Sequence, residues 1–332
     1  TGSERMRIEV RDKDSGIVVA VRNLTPVLDY DIDPLQGRVL LTQPLASTAA
    51  DNLLVASDTA GGNPVYLVVG YEYTPGFSDT NTLAVGGRSH LWLNDYIKLG
   101  VTADKSEEAD TKSSLGATDL TLRMNAESWL KIAASTSEGP GVASLGSNDG
   151  GYNFTPIGQL SGTNISAGAS RVDTSLGLGD VFPGANGRLT FYTQTLEAGY
   201  SAPGLLTTTD TEQQGGSLNM PVTQKISLHA KTDKTTRDLG LNTSASELDL
   251  GYQLTDRWLL STGYRKDSRQ DDSLVVPLTQ VEGDRSDAVV RATYDSKARW
   301  TAYGYVQDTL DTTGNREDNG RVGSGGAYRV TD

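Results

Sequence analysis

Few side chains in this sequence have the type and spacing for covalent chemistry. Cysteine is absent, and histidine occurs only at His90 and His229. Both fall at polar positions of alternating segments. A metal site would need them side by side with a carboxylate, and nothing in the spacing brings them together. A hydrolase would need a nucleophile beside one of these bases. No Gly-x-Ser-x-Gly turn marks a serine for that role. Three acidic groups invite a calcium reading: Asp29, Asp31 and Asp33; Glu107, Glu108 and Asp110; Glu317, Asp318 and Asn319. None has the calcium-loop spacing with its central glycine and terminal glutamate, so solvated turns are expected. Gly177-Leu178-Gly179 lacks the strand–helix setting of a nucleotide loop. The expectation is a protein that is not an enzyme and carries no metal or cofactor.

What recurs instead is charge at alternate positions. Arg88, His90, Lys98, Asp119, Arg123, Lys131, Glu247, Asp249, Arg257, Arg265 and Arg291 alternate with apolar neighbours. On extended strands they would share one face. Lining a water-filled passage, such charges tune ion selectivity. As cross-strand pairs they steady a wall by roughly 0.2–1 kcal/mol each. Both signs occur, so the sequence sets no preference for anions or cations.

The elements that must position these charges are amphipathic strands. Leu120, Leu122 and Met124 alternate with Asp119, Thr121 and Arg123; Leu248, Leu250 and Tyr252 alternate with Glu247, Asp249 and Gln253. The pattern recurs from Leu83 to the end of the chain. Strands are read near 65–74, 82–93, 96–105, 114–125, 128–137, 150–157, 161–172, 188–200, 213–222, 224–234, 242–253, 257–267, 285–295, 298–309 and 319–330. Short turns such as Asn94-Asp95 and Thr255-Asp256 alternate with long polar connections at 104–114, 135–151, 201–216, 266–285 and 308–320. An aromatic residue follows the short turns at Tyr96, Trp129, Trp258 and Trp300, where it would sit at a membrane–water boundary. Short periplasmic turns opposite long extracellular loops are the asymmetry of bacterial outer-membrane barrels.

Composition agrees. The chain has 332 residues, a net charge of −13, 37 glycines and only 36% hydrophobic residues. A soluble domain of this length should carry more apolar volume to fill its core. A barrel is relieved of that need by lipid outside and water inside. No stretch approaches about 18 consecutive apolar residues, so no transmembrane helix is expected. No signal peptide is visible at Thr1–Arg5, which reads the sequence as mature, processed or excerpted. The acidic balance argues against nucleic acid as a partner.

The expected fold is therefore all-β. It is an antiparallel transmembrane barrel over residues 63–332, preceded at 1–62 by part of a small soluble β-domain, periplasmic or plug-like. About 14–16 strands are read, and the odd total of fifteen suggests an incomplete barrel. Expected surroundings are outer-membrane lipid and lipopolysaccharide, with other envelope proteins or further strands of the same chain as partners.

Gly2–Arg5 through Val10-Arg11-Asp12, then Asp29-Tyr30-Asp31-Ile32-Asp33, Gln36–Leu41 and Pro44-Leu45, resemble a segment of large multidomain Gram-negative outer-membrane proteins, often described as OmpA-family-like. Ser201–Leu206 and Thr313–Gly320 resemble the barrel region of the same proteins. The resemblance covers most of the chain and implies location and architecture, with no defined activity or catalytic residue. A looser similarity joins Asp29–Asp33 to giant gliding and secretion translocon barrels. Pore formation is the leading expectation, with a wide secretion or assembly conduit and a surface-display barrel as alternatives.

Overall fold

The computed structural model describes residues 4–33, 38–49, 53–57, 62–71, 83–108, 111–140, 144–147, 152–157, 164–202, 205–274, 276 and 280–330. The chain is all-β and antiparallel. Its N-terminal part holds β1 (Arg5–Arg11), β2 (Val18–Asn23), β3 (Tyr30–Asp33), β4 (Arg38–Leu41), β5 (Thr48–Ala49) and β6 (Asn63–Gly70). A four-stranded sheet runs β2-β1-β6-β5, and β3 pairs with β4. Met6, Leu24 and Tyr30 form a small core there, packed by Ile8, Ile32, Val39, Leu41 and Leu67.

The large sheet begins with β7 (Leu83–Trp92), β8 (Ile97–Glu108), β9 (Thr111–Arg123) and β10 (Trp129–Gly139). A side hairpin of β11 (Ser144–Gly146) and β12 (Thr155–Ile157) follows. The sheet resumes with β13 (Ile165–Gly177), one helical turn α1 (Leu178–Val181) and β14 (Arg188–Leu196). A minimal hairpin, β15 (Ser201–Ala202) with β16 (Leu205–Leu206), precedes β17 (Thr211–Pro221) and β18 (Ile226–Arg237). The last strands are β19 (Leu241–Gln253), β20 (Trp258–Asp271), β21 (Gly283–Asp295), β22 (Trp300–Thr312) and β23 (Arg321–Tyr328). Thirteen of them join in the order β23-β22-β21-β20-β19-β18-β17-β14-β13-β10-β9-β8-β7. Among the described residues the edge strands β7 and β23 do not pair with each other.

Two of the fifteen strands expected from sequence fall outside this sheet. Residues 63–70 pair with β1, through Arg5↔Gly70 to Val10↔Val65, and so belong with the small sheet rather than with the hairpin run. Residues 155–157 close only the side hairpin. Strands elsewhere run farther than alternation indicated. The connection expected at 104–114 is a continuing ladder, Lys105↔Ser114 through Glu108↔Thr111. The turn between β18 and β19 is only 238–240, with Leu239 at φ 54°. The reason is visible in the register. Thr232, Ser246, Lys266 and Ser286 lie side by side across four strands. At that height the apolar face turns polar, so the period-two signal stops while the hydrogen-bonded ladder continues. Thirteen residues at about 3.4 Å each make a strand of about 44 Å, longer than an apolar band about 25 Å tall.

The short turns follow the sequence reading. One side-chain oxygen caps the backbone in each: Asn94 Oδ1 accepts from the N–H groups of Tyr96 and Ile97 at 2.8 and 2.9 Å. Asn125 Oδ1 does the same for Glu127 and Ser128, both at 2.8 Å. Thr255 Oγ1 takes Arg257 and Trp258 at 3.3 and 3.2 Å. Such residues suit tight turns because a short polar side chain replaces a missing backbone partner.

Candidate functional site

The pleat sends alternate residues of the large sheet to two unlike faces. On one lie Leu248, Leu250, Tyr252, Leu260, Tyr264, Val290 and Val306, all exposed. On the other lie Asp233, Glu247, Asp249, Arg265, Asp267, Asp287 and Gln307, all buried. This inverts the usual order, in which charge faces water and apolar groups are hidden.

The buried charges stand in register. Lys231 faces Glu247, Glu247 faces Arg265, and Arg265 faces Asp287 across four neighbouring strands. Arg265 reaches Glu247 at 3.4 Å, Arg285 reaches Asp287 at 2.9 Å and Arg316 reaches Asp267 at 2.5 Å. A buried ion pair is costly unless its remaining hydrogen-bonding positions are filled. Here the N-terminal part of the chain supplies many of those partners.

Two segments dock on this face. The β1–β2 turn brings Asp12 to Lys231 at 2.6 Å and Asp14 to Lys231 at 3.2 Å. Asp14 also takes a forked pair of hydrogen bonds from the Arg265 guanidinium, at 2.6 and 3.2 Å. Gln213 donates to Ser15 O at 3.0 Å. The second segment is 53–57, within the N-terminal stretch 1–62. It makes no ladder and is held by side chains instead. Leu54 N–H donates to Asp249 at 3.2 Å and Val55 N–H to Glu247 at 3.1 Å. The Gln307 amide both accepts from Ala56 N–H and donates to Ala56 O, each at 3.0 Å. Asn319 adds a bond to Ala56 O at 2.6 Å. Gly263 makes room for this segment: a Cβ there would overlap the Asp249 carboxylate and stand 3.1 Å from Leu54 Cβ.

Electrostatics on the docked turn favour the charged form. Burial raises the Asp14 carboxyl, but the hydrogen bonds and charge of Arg265, with Lys231, outweigh it and hold it at about 2. Asp12 is likewise lowered, burial again opposed by Lys231. A carboxylate depressed by folding adds stability that is present above its ordinary value of 3.8 and lost as pH falls toward 2. The docked turn is therefore expected to hold from neutral pH to about pH 4 and to loosen below about pH 3. Pepsin cleavage within residues 5–23 checks this. Relative to a free peptide of the same residues at each pH, it should be slow at pH 4 and fast at pH 2, and equal ratios would contradict the assignment.

The residues singled out from sequence divide into groups. Glu247, Asp249 and Arg265 belong to the docking surface. Arg88 pairs with Asp119 at 2.6 Å. Lys98 and Arg123 lie against the Trp92 ring, at 5.5 and 4.1 Å, and Arg291 lies over Tyr303 at 3.9 Å. Lys131 shares their face opposite Thr121. Arg257 is placed differently: it sits exposed in a short turn, near Tyr294 OH at 3.4 Å. Trp258 and Trp300 flank Tyr294 with ring centroids 5.0 and 5.1 Å away, an aromatic cluster at the short-turn end. Tyr96 is exposed in its turn, whereas Trp129 shares the face of Lys131.

His90 and His229 sit on β7 and β18, far apart in the sheet; His229 Nδ1 is 3.7 Å from Asp249. Asp29 accepts from Arg22 at 2.6 Å and from Thr25 N–H at 2.8 Å. Asp110 lies outside the described residues. Among the described residues, the acidic group close enough to hold a cation is Asp12, Asp14 and Asp233. The Lys231 ammonium already stands among these three, 2.6 to 3.2 Å from each.

Sequence reading missed Asp12, Asp14, Lys231, Asp267, Asp287 and Gln307 as members of one site. The available signal was the count of polar residues at interior positions of β18 to β22, larger than a water-facing wall requires.

No protein-family model and no curated protein matches the chain. Among solved structures, an outer membrane channel from Pseudomonas putida F1 aligns with a TM-score of 0.32 at 12% identity, covering 78% of this chain and 99% of that one. A Pseudomonas aeruginosa FadL homologue aligns with a TM-score of 0.30 at 12% identity, covering 97% of this chain and 86% of that one.

Proposed function

We propose that the chain is an outer-membrane β-barrel pore whose interior is partly filled by its own N-terminal residues. The observation that carries this reading is the inversion of the sheet. A wall with exposed Leu, Val and Tyr on one side and buried, paired Asp, Glu, Arg and Lys on the other suits lipid outside and a polar lumen inside. The Trp258–Tyr294–Trp300 cluster supports a membrane interface at the short-turn end, and short turns opposite long loops favour the periplasmic side for it. Contacts of Asp12, Asp14 and Leu54–Ala56 with the polar face favour a plug over a domain standing beside the barrel.

The plug lies against β17 to β22. Arg88 on β7 is half exposed, and Lys98 and Lys131 keep partial access to solvent. The polar face of β10 is covered in part by residues 200–201, bonded to Ser135 at 2.7 Å and Ser137 at 2.9 Å, so the accessible part of that face lies toward β7 to β9. Planar-bilayer recording of the purified chain tests the proposal. Stepwise conductance is the expected result, and none at any protein concentration would sink it.

A further inference from the structure

We infer that the small N-terminal sheet stands at the mouth formed by the long connections, with only its β1–β2 turn and residues 53–57 reaching into the interior; this deepens the pore reading and rests on it. The docked residues climb away from the short turns. Leu54 N–H bonds Asp249, which faces Gly263, about 17 Å above Trp258 along β20. Val55 N–H bonds Glu247, which faces Arg265, about 24 Å above it. Ser57 O accepts from Arg285, which faces Asp267, about 31 Å above it. Asn319, bonded to Ala56 O, belongs to the long connection between β22 and β23. The β1–β2 turn keeps to the same upper half. Asp14 binds Arg265, and Ser15 O accepts from Gln213, whose row runs through Thr235 and Thr243 to Arg269, about 37 Å up. The lower half of these strands is left alone. Arg291 rests on Tyr303 and Tyr303 stacks with Tyr305; none of the three bonds a residue of the described N-terminal part.

The body of the small sheet, with its core of Met6, Leu24 and Tyr30, lies at the end of β1 away from this turn. From Asp12 back to Met6 an extended strand covers about 20 Å. Directed downward, the body would fill the lower half of the interior, beside Arg291, Tyr303 and Tyr305, which it does not bond. Directed upward from Arg265, it reaches about 44 Å, the full length of the longer strands, and emerges among the long connections. Exposure agrees: all six residues of β2 are exposed, and the Arg7 and Arg22 side chains are 49% and 62% exposed. Chain continuity agrees as well. β6 ends at Gly70 opposite Arg5, at the body end. β7 runs from Leu83, opposite Glu107, to Trp92 beside the short turn, so Leu83 stands at the long-connection end. The link from Gly70 to Leu83 spans at most about 46 Å. From a body at the long-connection mouth it only crosses the rim. From the other mouth it would climb the roughly 31 Å of β7 and cross the interior as well. With the short turns periplasmic, the valine-bearing strand β2 faces the outside of the cell, and a solute arriving from there meets it first.

Sided labelling of single cysteines tests this on the full chain in the outer membrane of intact Gram-negative cells. The reagent is a maleimide on a polyethylene glycol chain too large to enter a pore. Val19→Cys and Val21→Cys report on β2, Asp272→Cys on a long connection and Asp256→Cys on a short turn; all four positions are exposed. Positions 19 and 21 should label with 272 on intact cells, while 256 labels only after the membrane is broken. Positions 19 and 21 following 256 would overturn the inference and leave the pore reading intact. So would their labelling only after unfolding, which would bury the sheet in the interior. Positions 272 and 256 labelling alike on intact cells would show that the large sheet does not span the membrane, and the pore reading would fall together with the inference.

Discussion

Replacing Asp12 and Asp14 together by asparagine is expected to release the N-terminal residues from the sheet and to raise conductance severalfold. Both carboxylates are nearly buried, and both bind cations that belong to the wall. Removing one partner of a buried pair costs about 3–5 kcal/mol. The lower end applies here, because Lys231 keeps Asp233 at 3.0 Å and Arg265 keeps Glu247 at 3.4 Å. A loss of about 3 kcal/mol shifts the seated-to-free ratio by roughly a hundredfold. The same retained partners leave the sheet itself paired, so the variant should fold. Single-channel recording with pepsin mapping of residues 5–23 reads both effects. Unchanged conductance in a form whose N-terminus is cleaved freely would show that the docked segment does not obstruct a passage.

The second large effect concerns the other face. Leu250→Arg and Val290→Arg are each expected to destabilise the protein in lipid vesicles by about 2–4 kcal/mol, the cost of a cation near the bilayer midplane. Leu250 is 42% and Val290 53% exposed, and both align with Thr262 across β19, β20 and β21. On a water-facing surface the same changes would fall within about 0.5 kcal/mol. Ser244→Arg, on the same face of β19 but beyond the apolar band, serves as the control and should cost little. Urea titrations in vesicles measure all three. Equal small effects at Leu250 and Ser244 would mean that the apolar face does not meet lipid.

The parts of this fold legible in the sequence were those governed by local rules. Period-two alternation located β7 to β10 and β18 to β23, because one face of each strand is apolar over several residues. Side-chain oxygens at Asn94, Asn125 and Thr255 located the short turns, since each caps its own neighbours. Strand ends were misplaced wherever both faces become polar, as above Thr232, Ser246 and Lys266. There the ladder persists on backbone hydrogen bonds that carry no side-chain signature. Local pattern is likewise silent on the partner of residues 65–68: they alternate as well as any other strand, and only pairing with β1 joins them to the small sheet.

The docked segments were the least legible. Asp12-Lys13-Asp14-Ser15 reads locally as an ordinary charged turn, and its partners Lys231 and Arg265 lie more than 200 residues away in sequence. Likewise Leu54–Ala56 has the apolar content of a strand, yet its backbone is satisfied by Asp249, Glu247 and Gln307 side chains. Long-range pairing of this kind leaves no trace in spacing. It leaves a trace only in an excess of polar residues at interior positions, visible once the strands are laid side by side.

The central claim is that one face of the large sheet meets hydrocarbon while the other faces a polar interior. Because the chain has no cysteine, a single introduced cysteine carries a fluorophore without competition. Labels placed in turn at positions 248, 249, 250, 251 and 252 of β19, in vesicles containing lipid-borne quenchers, measure the claim directly. Strong quenching at 248, 250 and 252 with weak quenching at 249 and 251 is the predicted result; uniform quenching, or none at any position, would contradict it.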